Sequence, residues 1–251
     1  MFFNYENLQF RYEPFPIGIA RPAIAPSIYQ ELIASYPSQE LFAYHPKVGH
    51  KYTLSEKSNP DHYHEVLRTR PLWGKLHAWI KSDAFIVSVM DVLRAHHIDL
   101  GYHGEPPLAD RVRKATRRLA RGRLDLLPRR LRARFEFSML PADGGSVIPH
   151  CDSPGKIVTL IVSMVGEGEW NPSFGGGTDV NRHRVPELSF NELNRRAEFD
   201  EMEILDTFEF KPNQIVMFIK TFNSWHSVRP MTGTGSPAMR RTLTINIETD
   251  H

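Results

Sequence analysis

Ser146-Val147-Ile148-Pro149-His150-Cys151-Asp152-Ser153-Pro154 decides the reading of the chain, because Ser224-Trp225-His226-Ser227-Val228-Arg229-Pro230 completes it far downstream. Between Asp152 and His226 lie 73 residues, and Arg240 follows His226 by 14. His150 and Asp152 are two apart, so on a strand both side chains point to one face and Cys151 points the other way, into packing. Two imidazoles and one carboxylate on a β scaffold hold one face of a divalent iron and leave three positions open. The predicted ligands are therefore His150, Asp152 and His226.

His-x-Asp alone is a weak signal. Asp61-His62-Tyr63-His64 has equally good local spacing, but no third ligand or β setting goes with it, and it is read as a solvated loop. His150 and Asp152 gain weight from their surroundings. They follow the turn Pro141-Ala142-Asp143-Gly144-Gly145 and precede the apolar run Ile157-Val158-Thr159-Leu160-Ile161-Val162-Ser163-Met164, a buried strand.

Working outward, Phe135-Glu136-Phe137-Ser138-Met139-Leu140 alternates like a strand. Gly175-Gly176-Gly177 turns into another, residues 207–211 and 214–219 flank a Pro212-Asn213 turn, and residues 240–247 form the last. Roughly seven strands with turn signals between them predict a jelly roll over residues 134–251. Residues 1–133 read as mostly helical and packed on its outside, giving an α+β protein. One helix is expected over residues 25–36, and two apolar faces recur within residues 64–97, one through Leu72, Leu76, Trp79 and Ile80. Residues 40–63 and 181–203 are expected to be long polar loops, either of which suits a substrate lid.

The chain has 251 residues, 41% of them hydrophobic and 24% charged, as in soluble globular proteins. Cys151 is the only cysteine, which excludes an internal disulfide and fits a reducing compartment. No apolar run is long enough to span a membrane, and no secretory signal is seen at the start. The expected location is cytoplasmic, including the inner face of a membrane. The net charge of +2 hides an asymmetry: residues 111–134 carry eleven Lys and Arg against Asp125, leaving 20 basic and 28 acidic residues elsewhere, a net of −8. This basic segment is expected to form two short helices, and it suits an anionic membrane surface or another anionic ligand. Without interleaved aromatics before Phe135 it does not suit single-stranded nucleic acid.

On the last strand Arg240 and Thr242 alternate with Leu243 and Ile245. A buried arginine needs an anion, and a guanidinium grips a carboxylate bidentately. One of Arg240 and Arg241 is therefore read as the holder of a ligand carboxylate, and the other as a surface arginine.

Taken together, these stretches resemble the iron(II)/2-oxoglutarate-dependent dioxygenases, nearest to their prolyl-hydroxylase-like branch, over about residues 134–248. The resemblance implies a double-stranded β-helix with iron(II) on His150, Asp152 and His226, 2-oxoglutarate as cosubstrate and O2 as oxidant. It implies that Arg240, with Thr242 two residues on, grips the far carboxylate of 2-oxoglutarate, and that Thr159 and Ser163 line its pocket. Thr178 stands where the family's Gly-Gly-x-Leu turn is apolar, and Leu140 and Ser163 stand where it often has tyrosine, so the cosubstrate contacts differ in detail. The implied reaction is hydroxylation of an unactivated C–H bond. An anionic sugar or other small or lipid-linked substrate is favoured, with a peptidyl-proline the alternative. A non-catalytic carbohydrate- or metal-binding jelly roll remains a second alternative. Trp225, Phe218 and Phe222 are candidates for an apolar shell around the metal.

Overall fold

The computed structural model describes residues 2–102 and 131–249. The helices expected in the basic segment fall outside the described residues.

The fold follows from strict alternation along the last strand, β12 (Met239–Thr249). Leu243, Ile245 and Ile247 are buried on one face, and Arg240, Thr242, Thr244 and Asn246 occupy the other. β12 pairs with β5 (Leu131–Pro141) along its whole length and with β7 (Lys156–Ser163) on its other side; β10 (Ile215–Ile219) lies beyond β7. The strand expected at residues 135–140 thus begins at Leu131, and the boundary expected at 133/134 falls inside it. A second sheet runs β6 (Val147–His150), β11 (His226–Val228), β8 (Thr178–His183), β9 (Met202–Phe208). The chain passes between the two sheets as it goes from β5 to β12, and every pairing is antiparallel: a double-stranded β-helix of eight strands.

The first hundred residues do more than cover this core. β1 (Gln9–Arg11) and β2 (Ile17–Ala20) extend the large sheet past β10. β3 (Ala43–His45) and β4 (Lys51–Ser55) extend it past β5. The large sheet therefore has eight strands, in the order β1-β2-β10-β7-β12-β5-β4-β3. The β3–β4 hairpin and the helix after it occupy most of the stretch expected to be a polar loop.

Among the described residues four helices cover the outer face of the large sheet: α1 (Pro26–Ala34), α2 (Pro60–Thr69), α3 (Pro71–Ile80) and α4 (Asp83–Ala95). The first three begin on proline, whose fixed φ and missing N–H suit a helix's first position. The fourth is capped by Ser82, whose hydroxyl accepts from the Phe85 N–H at 3.3 Å. Trp73, Leu76 and Ile80 from α3 and Phe85, Val89 and Leu93 from α4 are fully buried. The Trp73 ring lies 4.7 Å from Phe137 on β5, and its indole N–H donates to the Ser35 carbonyl at 3.0 Å.

Asp61-His62-Tyr63-His64 does not form a loop. It is the first turn of α2, started by Pro60, and Tyr63 is fully buried with Val66 three residues on. That i, i+3 apolar pair, and not metal ligation, explains the sequence there.

Candidate metal centre

The site lies between the sheets. His226, first residue of β11, is directly opposite His150, last residue of β6. Asp152 lies two residues beyond the end of β6. The three side chains offer ligand atoms that all fall within 4.8 Å of one another. Cys151 turns the other way, packed with Ala197, Met202 and Trp225, where burial pushes its thiol up to about 11.

Hydrogen bonds fix which nitrogen each imidazole offers. His150 Nδ1 is 2.9 Å from the Ile148 carbonyl, and His226 Nδ1 is 3.0 Å from the Ser224 carbonyl. A carbonyl only accepts, so Nδ1 carries the proton in both rings and Nε2 keeps its lone pair for a metal. Burial lowers both histidines. For His150, the neighbouring His226 adds to the effect and Asp152 opposes it, leaving a value of about 3. For His226, Asp152 again opposes burial. Both rings are therefore neutral near pH 7.

Asp152 is 3% exposed. Its Oδ2 accepts from the Thr159 hydroxyl at 2.6 Å and its Oδ1 from the Lys156 ammonium. Burial alone would raise its pKa, but Lys156, His226 and the two hydrogen bonds outweigh it and hold the carboxyl well below the usual range. The Thr159 oxygen also lies 3.0 Å from Asn246 Oδ1 of β12, behind the carboxylate. Thr159 therefore orients a ligand, and its one hydroxyl proton is committed to Asp152. Phe218 packs on His226 with 4.4 Å between ring centroids. Trp225 faces away, its indole N–H donating to the Ser189 carbonyl, and Phe222 is 42% exposed. Of the three aromatic residues considered for the shell, Phe218 alone touches the ligands.

Arg240 faces into the roll, 5% exposed. Its Nε donates to the Gly176 carbonyl at 2.6 Å, and its guanidinium lies 4.6 Å over the Phe210 ring. Trp170, Met231, Leu140 and Val228 complete an apolar box around it. Among the described residues no carboxylate pairs with it. Burial lowers its pKa to about 10, so it stays charged at neutral pH. Gly176 is required here. It has φ of +82°, and a Cβ would sit 3.0 Å from the Met231 sulfur and from the Trp170 ring, and 3.2 Å from Arg240 Cδ. Arg241 turns the other way, pairs with Glu169 and lies over the Tyr36 ring. Thr242 and Ser163 are opposite one another in register, both buried on the β12 and β7 faces that carry Arg240 and Thr159.

Two contributors were not found in the sequence. Asn246 stands on the Arg240-Thr242-Thr244 face of β12, so alternation alone could have shown it. Lys156 is four residues past Asp152 across a turn, and no strand pattern marks it. The segment after β8 is irregular with short 3-10 turns, as a loop should be, and it is tied to the ligand strand. Arg196 bridges to His150, the Ala197 N–H donates to the Pro149 carbonyl at 3.0 Å, and the Asn194 amide, with its nitrogen toward the backbone, donates to the carbonyls of Cys151 at 2.9 Å and Asp152 at 3.1 Å. This strap along the ligand strand carries exposed Val185, Leu188, Phe190 and Leu193.

The donors present fit iron(II). Two free Nε2 atoms and one ionised carboxylate form a compact set of borderline and hard ligands, each oriented by a hydrogen bond. The buried, acid-free guanidinium fits the distal carboxylate of 2-oxoglutarate, since a cation out of water is stable only with an anion beside it.

No family model and no curated protein matches the chain. Solved structures do. A Pseudomonas putida prolyl-4-hydroxylase is 13% identical, with a TM-score of 0.46 over 94% of this chain and 93% of that one. A Trichoplax adhaerens prolyl hydroxylase, solved with a peptide of hypoxia inducible factor, is 12% identical, with a TM-score of 0.45 over 92% and 83%. The chain is also similar, at 11% identity and a TM-score of 0.42 over 92% and 84%, to a 2OG-Fe(II) oxygenase from Burkholderia pseudomallei.

Proposed function

We propose that the chain is an iron(II)- and 2-oxoglutarate-dependent dioxygenase that hydroxylates an unactivated C–H bond. The observation that carries this reading is the pairing of two features inside one roll: a His-Asp-His set with free Nε2 atoms, and a buried arginine that no acid among the described residues neutralises. A non-catalytic metal-binding module would account for the first and leave the second an unpaired charge in an apolar box. When bound, iron(II) supplies the activation of O2 that decarboxylation of 2-oxoglutarate drives.

The protein's own part is positional. Ile148 and Ser224 carbonyls hold the two imidazoles in one tautomer, and Thr159 and Lys156 fix the carboxylate. Arg240 grips the cosubstrate from the far end, and Phe218 keeps water from one side of His226.

For the substrate, we favour a small anionic or sugar-bearing molecule, including a lipid-linked one. The anionic preference rests on Lys156. A metal on Asp152 would satisfy that carboxylate and leave the ammonium, 18% exposed, to face a substrate anion. The preference for an apolar or lipid-linked molecule rests on Phe190 of the strap and Phe222 of the turn before β11, whose rings lie 4.8 Å apart, both exposed. Membrane attachment would be peripheral: among the described residues no helix is long and apolar enough to cross a bilayer.

The test is an anaerobic titration of metal-free protein with Fe(II) and then 2-oxoglutarate. A visible charge-transfer absorption that needs both, and that is absent in His226→Ala, is the expected result. Fe(II) binding with no such absorption on adding 2-oxoglutarate would overturn the assignment.

A further inference from the structure

The outer face of the small sheet carries a groove that the metal chemistry does not use. Alternation sends His226 and Val228 into the roll and Ser227 and Arg229 out of it, and Val180 in and Asp179 out. The inward residues pack against Phe218 and the Arg240 box. Asp179 and Arg229 meet at a groove of about 550 Å³, lined also by residues 173–177, Phe199, Thr207, Pro230 and Thr232.

A buried charge is built into its floor. Asp179 is 1% exposed. It accepts from the Thr207 hydroxyl at 2.7 Å and from Arg229 through Nε at 3.1 Å and Nη2 at 3.2 Å, with the Ser227 hydroxyl at 3.4 Å. Four donors satisfy that carboxylate. Arg229 is 54% exposed along its side chain, and its Nη1 takes part in none of these bonds. A guanidinium held from behind by a buried carboxylate is a rigid donor aimed at an acceptor, the arrangement that grips carboxylates with fixed geometry. Phe174 and Phe199 add apolar ring faces, and Ser173, Thr207 and Thr232 add hydroxyl-bearing side chains. The volume falls within the range of small-ligand sites.

We propose that this groove binds a sugar ring bearing a carboxylate, a hexuronate, with the carboxylate on Arg229 and the ring's C–H face against Phe199. A saccharide matches the lining because it offers an apolar face and hydroxyls at once. A carboxylate matches because the unspent groups of Arg229 are donors only. The site lies on the opposite face of the strands that bear the metal ligands and does not depend on the dioxygenase reading.

The test titrates glucuronic acid into the metal-free full-length protein, followed by protein-observed NMR, with glucose and inorganic phosphate in parallel. Saturable binding of glucuronate, at least tenfold weaker binding of both controls, and a loss of about tenfold in Arg229→Gln and in Phe199→Ala are expected. Arg240→Gln should leave the affinity unchanged. The proposal is overturned by absence of saturable binding, by phosphate binding as well as glucuronate, or by a loss in Arg240→Gln, which would put the anion in the inner pocket. If Arg229→Gln proves unfolded by circular dichroism, Phe199→Ala decides alone, and an unchanged affinity there overturns the site.

Discussion

His226 and His150 face each other across β11 and β6 with 4.3 Å between ring centroids, and each ring gives its Nδ1 proton to the carbonyl two residues before it. The two imidazoles are thus set in the same tautomer by backbone alone. Replacing either one by alanine, or Asp152 by alanine, removes a metal ligand without touching the helix-covered core. Each variant should lose 2-oxoglutarate turnover by three orders of magnitude or more while keeping the parent's far-ultraviolet circular dichroism. Retained turnover in His226→Ala would mean the metal sits elsewhere.

Thr159 donates to the ligand carboxylate from the next strand. Thr159→Val keeps the shape and removes the hydroxyl. Loss of such an orienting partner weakens metal affinity by about 10–100-fold. Competition with a fluorescent chelator for Fe(II) would measure this, and an affinity within twofold of the parent would show that Lys156 alone suffices to hold Asp152.

Arg240 and Arg241 are neighbours in sequence and opposites in environment. Arg240→Met should raise the KM for 2-oxoglutarate by roughly 10–100-fold, the scale of a charged hydrogen bond. Arg241→Met, which breaks only a partly exposed pair with Glu169, should change it less than twofold. Steady-state succinate release separates the two. The reverse ranking would place the register of β12 one residue out.

Acid should unfold the metal-free protein earlier than the holo form. Burial lowers His150 from 6.5 to about 3, so between those values the unfolded chain binds a proton that the folded chain does not. Stability attributable to this group is therefore complete above pH 6.5 and falls as the pH drops, by up to roughly 1.4 kcal/mol per unit. Urea midpoints of metal-free protein at pH 7.5 and 5.0 should differ, and His150→Gln should reduce the difference. An equal fall in His150→Gln would assign the effect to other groups.

How much of this was legible in the sequence depended on how local each signal was. The candidate metal set and the Arg240 face were visible because His-x-Asp spans only three residues and the alternation of Arg240, Thr242, Leu243 and Ile245 marks a face. Within the polar stretch of residues 40–63 a strand is legible around Tyr52-Thr53-Leu54, where β4 lies, while β3, three residues with none of them fully buried, carries no apolar pattern to separate it from a loop. β9 was placed too late because its exposed residues, among them Glu203 and Ile204, mask its pairing with β8. The Asp61–His64 segment was misread for the opposite reason. Four polar or aromatic letters suggested solvent, while Pro60 and the spacing of Tyr63 and Val66 marked a helix start. The Lys156–Asp152 contact has no sequence signature, since a turn and not a regular element brings the two together.

The position of β12 has a further consequence, for synthesis. β12 is a central strand, inserted between β7 and β5 after both have been made, while β2 pairs with β10 nearly two hundred residues later. A nascent chain halted before Met239 would therefore carry two unsatisfied strand edges in the middle of its largest sheet, beside the half-built ligand set. Such an intermediate invites edge-to-edge association. Assembly of the large sheet and acquisition of the site are thereby coupled to the arrival of β12, and a frameshift just before Met239 should be as damaging as one before β5.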